Sequence, residues 1–96
     1  MPKRTKTGQR KHDNTVLRSA EWYKGQGYKV KADLPGWEKP KKIGGFIPDL
    51  IAKKGNKEIV KEIETKDTNK KNKKQQEAFE EYAGKKRSRE FKKKII

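Results

Sequence analysis

The sequence predicts an α/β fold with its elements in the order α-β-β-β-α-β. Three observations predict it. Apolar residues recur at helical spacing in two segments, alternate with charged residues between them, and Gly and Pro clusters separate these periods. With 96 residues, of which 28% are hydrophobic, the chain has material for one domain with a small core.

Residues 1–11 carry Lys3, Arg4, Lys6, Arg10 and Lys11 with no acid and almost nothing apolar. Such a segment cannot offset the entropy lost on ordering, so a disordered basic arm is expected, with residues 12–96 as the single domain. From Asp13 or Asn14, both good N-caps, Val16, Leu17, Ala20 and Tyr23 follow at helical spacing until Gly25 and Gly27 supply a stop. Tyr28, Val30 and Ala32 alternate with Lys29, Lys31 and Asp33, the period of a strand with one wet face. Residues 34–45 hold Pro35, Gly36, Pro40, Gly44 and Gly45 around Trp37, a loop too long for a hairpin connection and of the kind that often touches ligands. Residues 46–52 and 58–65 are short apolar runs that form the second and third strands, with Gly55-Asn56 as a two-residue turn. Asp67 or Thr68 can cap a second helix, marked by Gln75, Ala78, Phe79 and Tyr82 and closed by Gly84. Phe91, Ile95 and Ile96 then suggest a last, edge strand.

Charge narrows the partners. Lys and Arg number 28 against 13 Asp and Glu, a net charge of +15, beyond what solubility asks of a small domain. Polyanions are the expected partners. No apolar run approaches the ~20 residues of a spanning helix, and no amphipathic stretch has a strong aromatic face, so nucleic acid is expected rather than a membrane. There is no cysteine, which excludes disulfides and thiolate metal sites, and the N-terminus lacks the apolar segment of a secretory signal. The cytoplasm is the expected address.

The acids carry the chemistry. Pro48-Asp49 ends one run, and Glu62-Ile63-Glu64-Thr65-Lys66 ends the next. If Gly55-Asn56 is the turn, Lys54 faces Lys57, Ala52 faces Ile59 and Asp49 stands opposite Glu62, with Glu64 and Lys66 following on that face. Opposed side chains have Cβ atoms ~5 Å apart, close enough for two carboxylates to share a cation with ligand distances near ~2.1 Å. A register shifted by one residue would put Asp49 and Glu62 on opposite faces. Mg²⁺ takes such oxygen ligands together with substrate phosphate. The competing reading leaves Glu62 and Glu64 as solvent-facing strand residues paired with lysines.

The element order and the residues Pro48-Asp49, Glu62, Glu64 and Lys66 resemble the PD-(D/E)XK nuclease superfamily over residues 14–96. Gly27-Tyr28-Lys29-Val30, the Pro-Asp step and the acidic strand are similar to archaeal Holliday junction resolvases and related small endonucleases. The resemblance implies a restriction-endonuclease-like core, a mixed sheet flanked by helices. It implies a metal-dependent endonuclease of DNA repair or recombination that hydrolyses phosphodiester bonds in DNA, with branched DNA or Holliday junctions as candidate substrates and RNA still open. One or two Mg²⁺ (or Mn²⁺) ions would be held by Asp49, Glu62 and Glu64, with Lys66 as helper. The motif can be laid on Glu62-Ile63-Glu64, with Glu64 where Lys is usual, or on Glu64-Thr65-Lys66, which restores the Lys. The family commonly adds an acid from the first helix, for which Asp13, beside His12, is the nearest substitute. A homodimer would suit paired cuts and enlarge a small core. The alternative is a catalytically inactive nucleic-acid-binding module on the same fold.

Further residues have two readings each. His12 can act as a general base or contact phosphate, although an exposed flanking residue is the commoner outcome. Trp37 can stack on a base or pack over the sheet edge. Lys70, Lys71, Lys73 and Lys74 can grip the backbone near the acidic strand, and Lys85, Lys86, Arg87 and Arg89 can extend that surface together with the N-terminal arm. Four lysines at a helix N-terminus oppose the macrodipole, which points to bound phosphate.

Overall fold

The turn at Gly55-Asn56 sets the register of the sheet. The computed structural model describes residues 6–96, with side chains from residue 10 onward except that of Asp67. Its elements are α1 (Lys6–Gly25), β1 (Lys29–Ala32), β2 (Leu50–Lys54), β3 (Lys57–Glu64), α2 (Lys66–Lys71), α3 (Lys73–Gly84) and β4 (Arg89–Ile95). Gly55 has φ +59° at the first turn position, where a two-residue hairpin of the II′ kind requires glycine. Lys54 accordingly pairs with Lys57, Ala52 with Ile59 and Leu50 with Lys61. β1 to β3 run antiparallel, and β4 lies parallel to β3 at the sheet edge, so the four strands form a mixed sheet in the order β1-β2-β3-β4.

Both faces of the sheet are covered. Val16, Ala20 and Tyr23 of α1 pack on Ala32, Leu50, Ala52, Ile59 and Ile63. On the opposite face Phe79 of α3 packs on Ile51 and Val60, with Ile43 from the long loop. Side chains alternate between faces along a strand, so β3 sends Ile59, Lys61 and Ile63 toward α1 and Glu58, Val60, Glu62 and Glu64 toward α2 and α3. This is a three-layer α/β/α arrangement. Burial on both sides explains why β3 lacks a solvent face despite its alternating charges.

Three boundaries differ from the sequence-based expectation. α1 begins at Lys6 rather than after Asp13 or Asn14. Of the expected arm, residues 1–5 lie outside the described residues, while Lys6 to Lys11 form the first turns of this helix. The physical reason is His12, which continues the buried stripe of Val16, Ala20 and Tyr23 one turn upstream and is 5% exposed. The second strand begins at Leu50, because Ile43 and Phe46 close a tight turn on each other instead. The second helix is two helices, capped at Thr65 and not at Asp67 or Thr68. Thr65 Oγ1 accepts from the Thr68 N–H at 3.2 Å, and the Thr65 N–H donates to Thr68 Oγ1 at 2.9 Å, a reciprocal capping box. The break falls at Asn72.

Gly44 sits in the Ile43 to Phe46 turn with φ +60°, and a Cβ built there would lie 2.8 Å from the Ala78 Cβ of α3. Gly44→Ala therefore combines a left-handed backbone with a steric clash. It is expected to cost about 1–3 kcal/mol, read as a drop in Tm of about 5–20 °C in thermal melts followed by circular dichroism. An unchanged Tm would contradict the close approach of this loop to α3.

Candidate active site

Asp49 stands one step before β2, just beyond the last ladder pair, and meets Glu62 of β3 directly. The Asp49 N–H donates to Glu62 Oε1 at 2.8 Å, and the Ile63 N–H donates to Asp49 Oδ2 at 2.9 Å. Each carboxylate thus ties down the other's strand. Buried Pro48 holds the approach to this position extended. Glu64 lies two residues along on the same face. Glu62 and Glu64 are 1% and 0% exposed, so they are not solvent-facing residues paired with surface lysines.

Polar side chains from the neighbouring helices hold these acids. Gln75 Nε2 donates to Glu62 Oε2 at 3.0 Å. Asn72 Nδ2 reaches both Glu64 oxygens at 3.4 and 3.3 Å, so the break between α2 and α3 delivers an amide to the acidic strand. His12 bridges two carboxylates, with Nε2 3.2 Å from Asp49 Oδ2 and Nδ1 3.2 Å from Asp13 Oδ1. A doubly protonated ring satisfies both, because carboxylates only accept. His12 is therefore a buried partner of Asp49 rather than an exposed flank, and through it Asp13 is linked to the same site.

The three acids line a cleft of about 330 Å³ with a fourth, Asp33, and with Lys42, Thr68, Asn72 and Gln75. Glu62 is pushed up to about 10, first by burial and then by the Asp49 charge, against the opposing effect of the Asp49 N–H, with Glu64 raising it further. Among the described residues no three His, Asp or Glu side chains already stand as a metal-ligand shell. The donors nevertheless fit a hard divalent cation. They are carboxylate oxygens gathered in one cleft, and the repulsion that adds to burial in raising Glu62 is one a cation relieves.

The remaining candidates are placed as follows. The chain leaves strand geometry at Thr65, so Lys66 opens α2, is exposed and does not line the cleft. Only the Glu62-Ile63-Glu64 register lies along one face of β3. Lys70 and Lys71 occupy the last turn of α2, where the macrodipole favours them, while Lys73 and Lys74 open α3. All four are exposed. The expectation of four lysines at one helix N-terminus is corrected to two. Trp37 is partly buried against the α1 side of the core, with Lys24 Nζ 5.7 Å from its ring centre. Arg10 and Lys11 are exposed on α1; Lys3 and Arg4 lie outside the described residues, and Lys6 is described by its backbone alone. Glu58, a third acid on this side of β3, is taken up structurally. Its oxygens accept from the Tyr82 hydroxyl at 2.9 and 2.8 Å and lie 3.4 Å from Arg89 Nε.

A family model described as REase_AHJR-like matches residues 4–93. The chain belongs to this restriction-endonuclease-like family. Neither the curated proteins nor the solved structures give a match. As an AHJR-like protein the chain carries a nuclease fold of the PD-(D/E)XK type, whose substrate class is nucleic acid. The mixed sheet between helices agrees with that fold. No helix among the described residues is long and apolar enough to cross a membrane. For an AHJR-like chain the sequence reasoning missed Asp33, Lys42, Asn72 and Gln75 in the cleft and misjudged His12. The spacing of four residues from His12 to Val16 was the available signal for the last; nothing local marked the others.

Proposed function

We propose that this protein is a metal-dependent endonuclease that hydrolyses phosphodiester bonds in DNA, with branched DNA such as a Holliday junction as the preferred class. One observation carries this reading: Asp49 just before β2 and the buried Glu62 and Glu64 of β3 converge on one cleft of a protein with net charge +15. Asp49 and Glu62, with Glu64, would hold Mg²⁺ or Mn²⁺. That ion would supply Lewis acidity at the phosphorus and a water of lowered pKa. The chain's own residues do the remaining work. Gln75 and Asn72 fix the two glutamates, His12 orients Asp49, and Lys42 is placed to meet phosphate at the mouth of the cleft. With Lys66 on α2, Lys42 rather than Lys66 is the cation lining the site. A homodimer would permit paired cuts.

The test incubates the protein with branched, flapped and linear DNA, and with RNA, in Mg²⁺, Mn²⁺ or EDTA. Metal-dependent cleavage that prefers the branched substrate and is lost in Asp49→Asn supports the reading; its absence in wild-type protein sinks it. The second reading, a module that binds without cutting, is favoured by the placement of Glu64 at the usual Lys position and of Lys66 outside the cleft. Salt-sensitive binding with no cleavage would support it.

Glu62 also makes a pH prediction for the metal-free protein. Its carboxyl is raised from 4.5 to about 10 in the fold, so its contribution to stability is complete below about pH 4.5 and is lost as pH rises toward 10. Glu62→Gln removes that titration. The variant is expected to match wild type near pH 4.5 and to have the higher Tm near pH 8 in EDTA. A lower Tm at both pH values would contradict the proposed congestion.

A further inference from the structure

The face of the sheet that carries the carboxylates continues beyond them into a second, basic cleft. Along the second strand Asp49, Ile51 and Lys53 point to one side, and β1 adds Lys29 and Lys31 beside Lys53 and Ile51. α3 packs on β3 and β4 and leaves this end of the face to residues 33–49, which contribute Glu38 and Lys41. Together these residues line an open cleft of about 270 Å³ with Ile51 as its apolar floor. Four lysines stand there against one glutamate.

Of the four lysines only Lys41 is taken up by structural pairing. Lys29 and Lys53 face each other across the β1–β2 ladder and make no ion pair among the described residues. Lys31 lies 3.9 Å from Glu38, an exposed pair of the kind worth little. Lys41 is held in place, with Nζ 4.8 Å from the Tyr82 ring centre and 3.7 Å from Glu58. Facing lysines repel, and a polyanion relieves that repulsion. From Asp49 to Lys53 is about 13 Å at ~3.3 Å per residue, a length spanned by about four nucleotides at ~3.4 Å each along one strand of a duplex.

We propose that this cleft holds the phosphodiester backbone of the DNA strand flanking the point where it meets Asp49, Glu62 and Glu64, within about four nucleotides of it. The direction of the strand rests on the nuclease reading given above; occupancy of the cleft does not need cleavage. Lys29 and Lys53 are the principal phosphate contacts, Lys41 is a fixed positive wall, and Glu38 moves aside at little cost.

The experiment measures binding of the full chain to a fluorescein-labelled flapped DNA duplex by anisotropy, in EDTA, from about 50 to 200 mM salt. Lys29→Gln/Lys53→Gln is compared with Lys92→Gln/Lys94→Gln, an equal charge change on the opposite face of the sheet. The cleft variant is expected to lose about tenfold or more in affinity and about 2 in the slope of log K against log salt, at ~0.9 per phosphate contact. The control is expected to change the slope by less than one contact. Equal losses in the two variants would overturn the proposal, as would a wild-type protein that binds no DNA. All four side chains are exposed, and thermal melts verify that both variants fold. Wild-type protein that binds with this difference but cuts nothing would refute catalysis and leave the cleft assignment standing.

Discussion

Asp49→Asn is expected to abolish metal-dependent cleavage while the fold survives. Asparagine keeps a side-chain carbonyl that can accept from the Ile63 N–H, the bond that joins this position to β3, and its shape matches the aspartate. What disappears is the charge, and with it an anionic oxygen ligand. Loss of several kcal/mol of charge stabilisation at the phosphorus corresponds to about a thousandfold in rate. The same substitution removes a like charge beside Glu62, so the metal-free Tm is expected to be unchanged or higher. Cleavage of labelled branched DNA and thermal melts in EDTA check the two halves separately. A variant that cuts within tenfold of wild type would remove Asp49 from the chemistry; one that fails to fold would show that its negative charge is structural.

Phe79→Ala is expected to have the largest effect on stability. Phe79 is 0% exposed and joins Ile43, Ile51 and Val60 into the core on the α3 face, with Phe91 at 6.1 Å between ring centres. Truncating a buried Phe costs about 3–5 kcal/mol, a large share of the ~5–15 kcal/mol that a small domain commands. In thermal denaturation this is a fall in Tm of about 15–30 °C. The effect reaches the active cleft because Gln75 sits one helical turn before Phe79 and bonds to Glu62. A loss of less than about 5 °C would contradict the central place of this ring.

The hairpin was the most legible part of the molecule. A Gly-Asn dipeptide between two apolar runs admits few registers, and a period of two then fixes which acids share a face, so Asp49 could be set against Glu62 from residue numbers alone. The limits of α1 and α2 were less legible because polar residues set them. His12 lies on the buried stripe but is not apolar, and its partner Asp49 is remote in sequence. Thr65 reads as the end of an alternating strand until Thr68 is seen to complete a capping box, and that box is what carries Lys66 out of the cleft. Asn72 interrupts a lysine run, yet nothing nearby indicates that its amide serves Glu64. Glu58 shares the parity of Glu62 and Glu64, but whether such an acid binds substrate or an internal arginine depends on which strand arrives beside it.

That strand is β4, and its arrival has a kinetic consequence. β3 carries Glu58, Glu62 and Glu64 of this face and pairs with β4 in parallel, across α2 and α3. A parallel neighbour that far along the chain closes a long loop before any contact rewards it, so it joins late in folding. Until then β3 is an unpaired edge with Glu64 at its end, lacking the Ile96 N–H that donates to the Glu64 carbonyl at 2.8 Å. This topology predicts that the acidic cleft is completed only when β4 docks on β3.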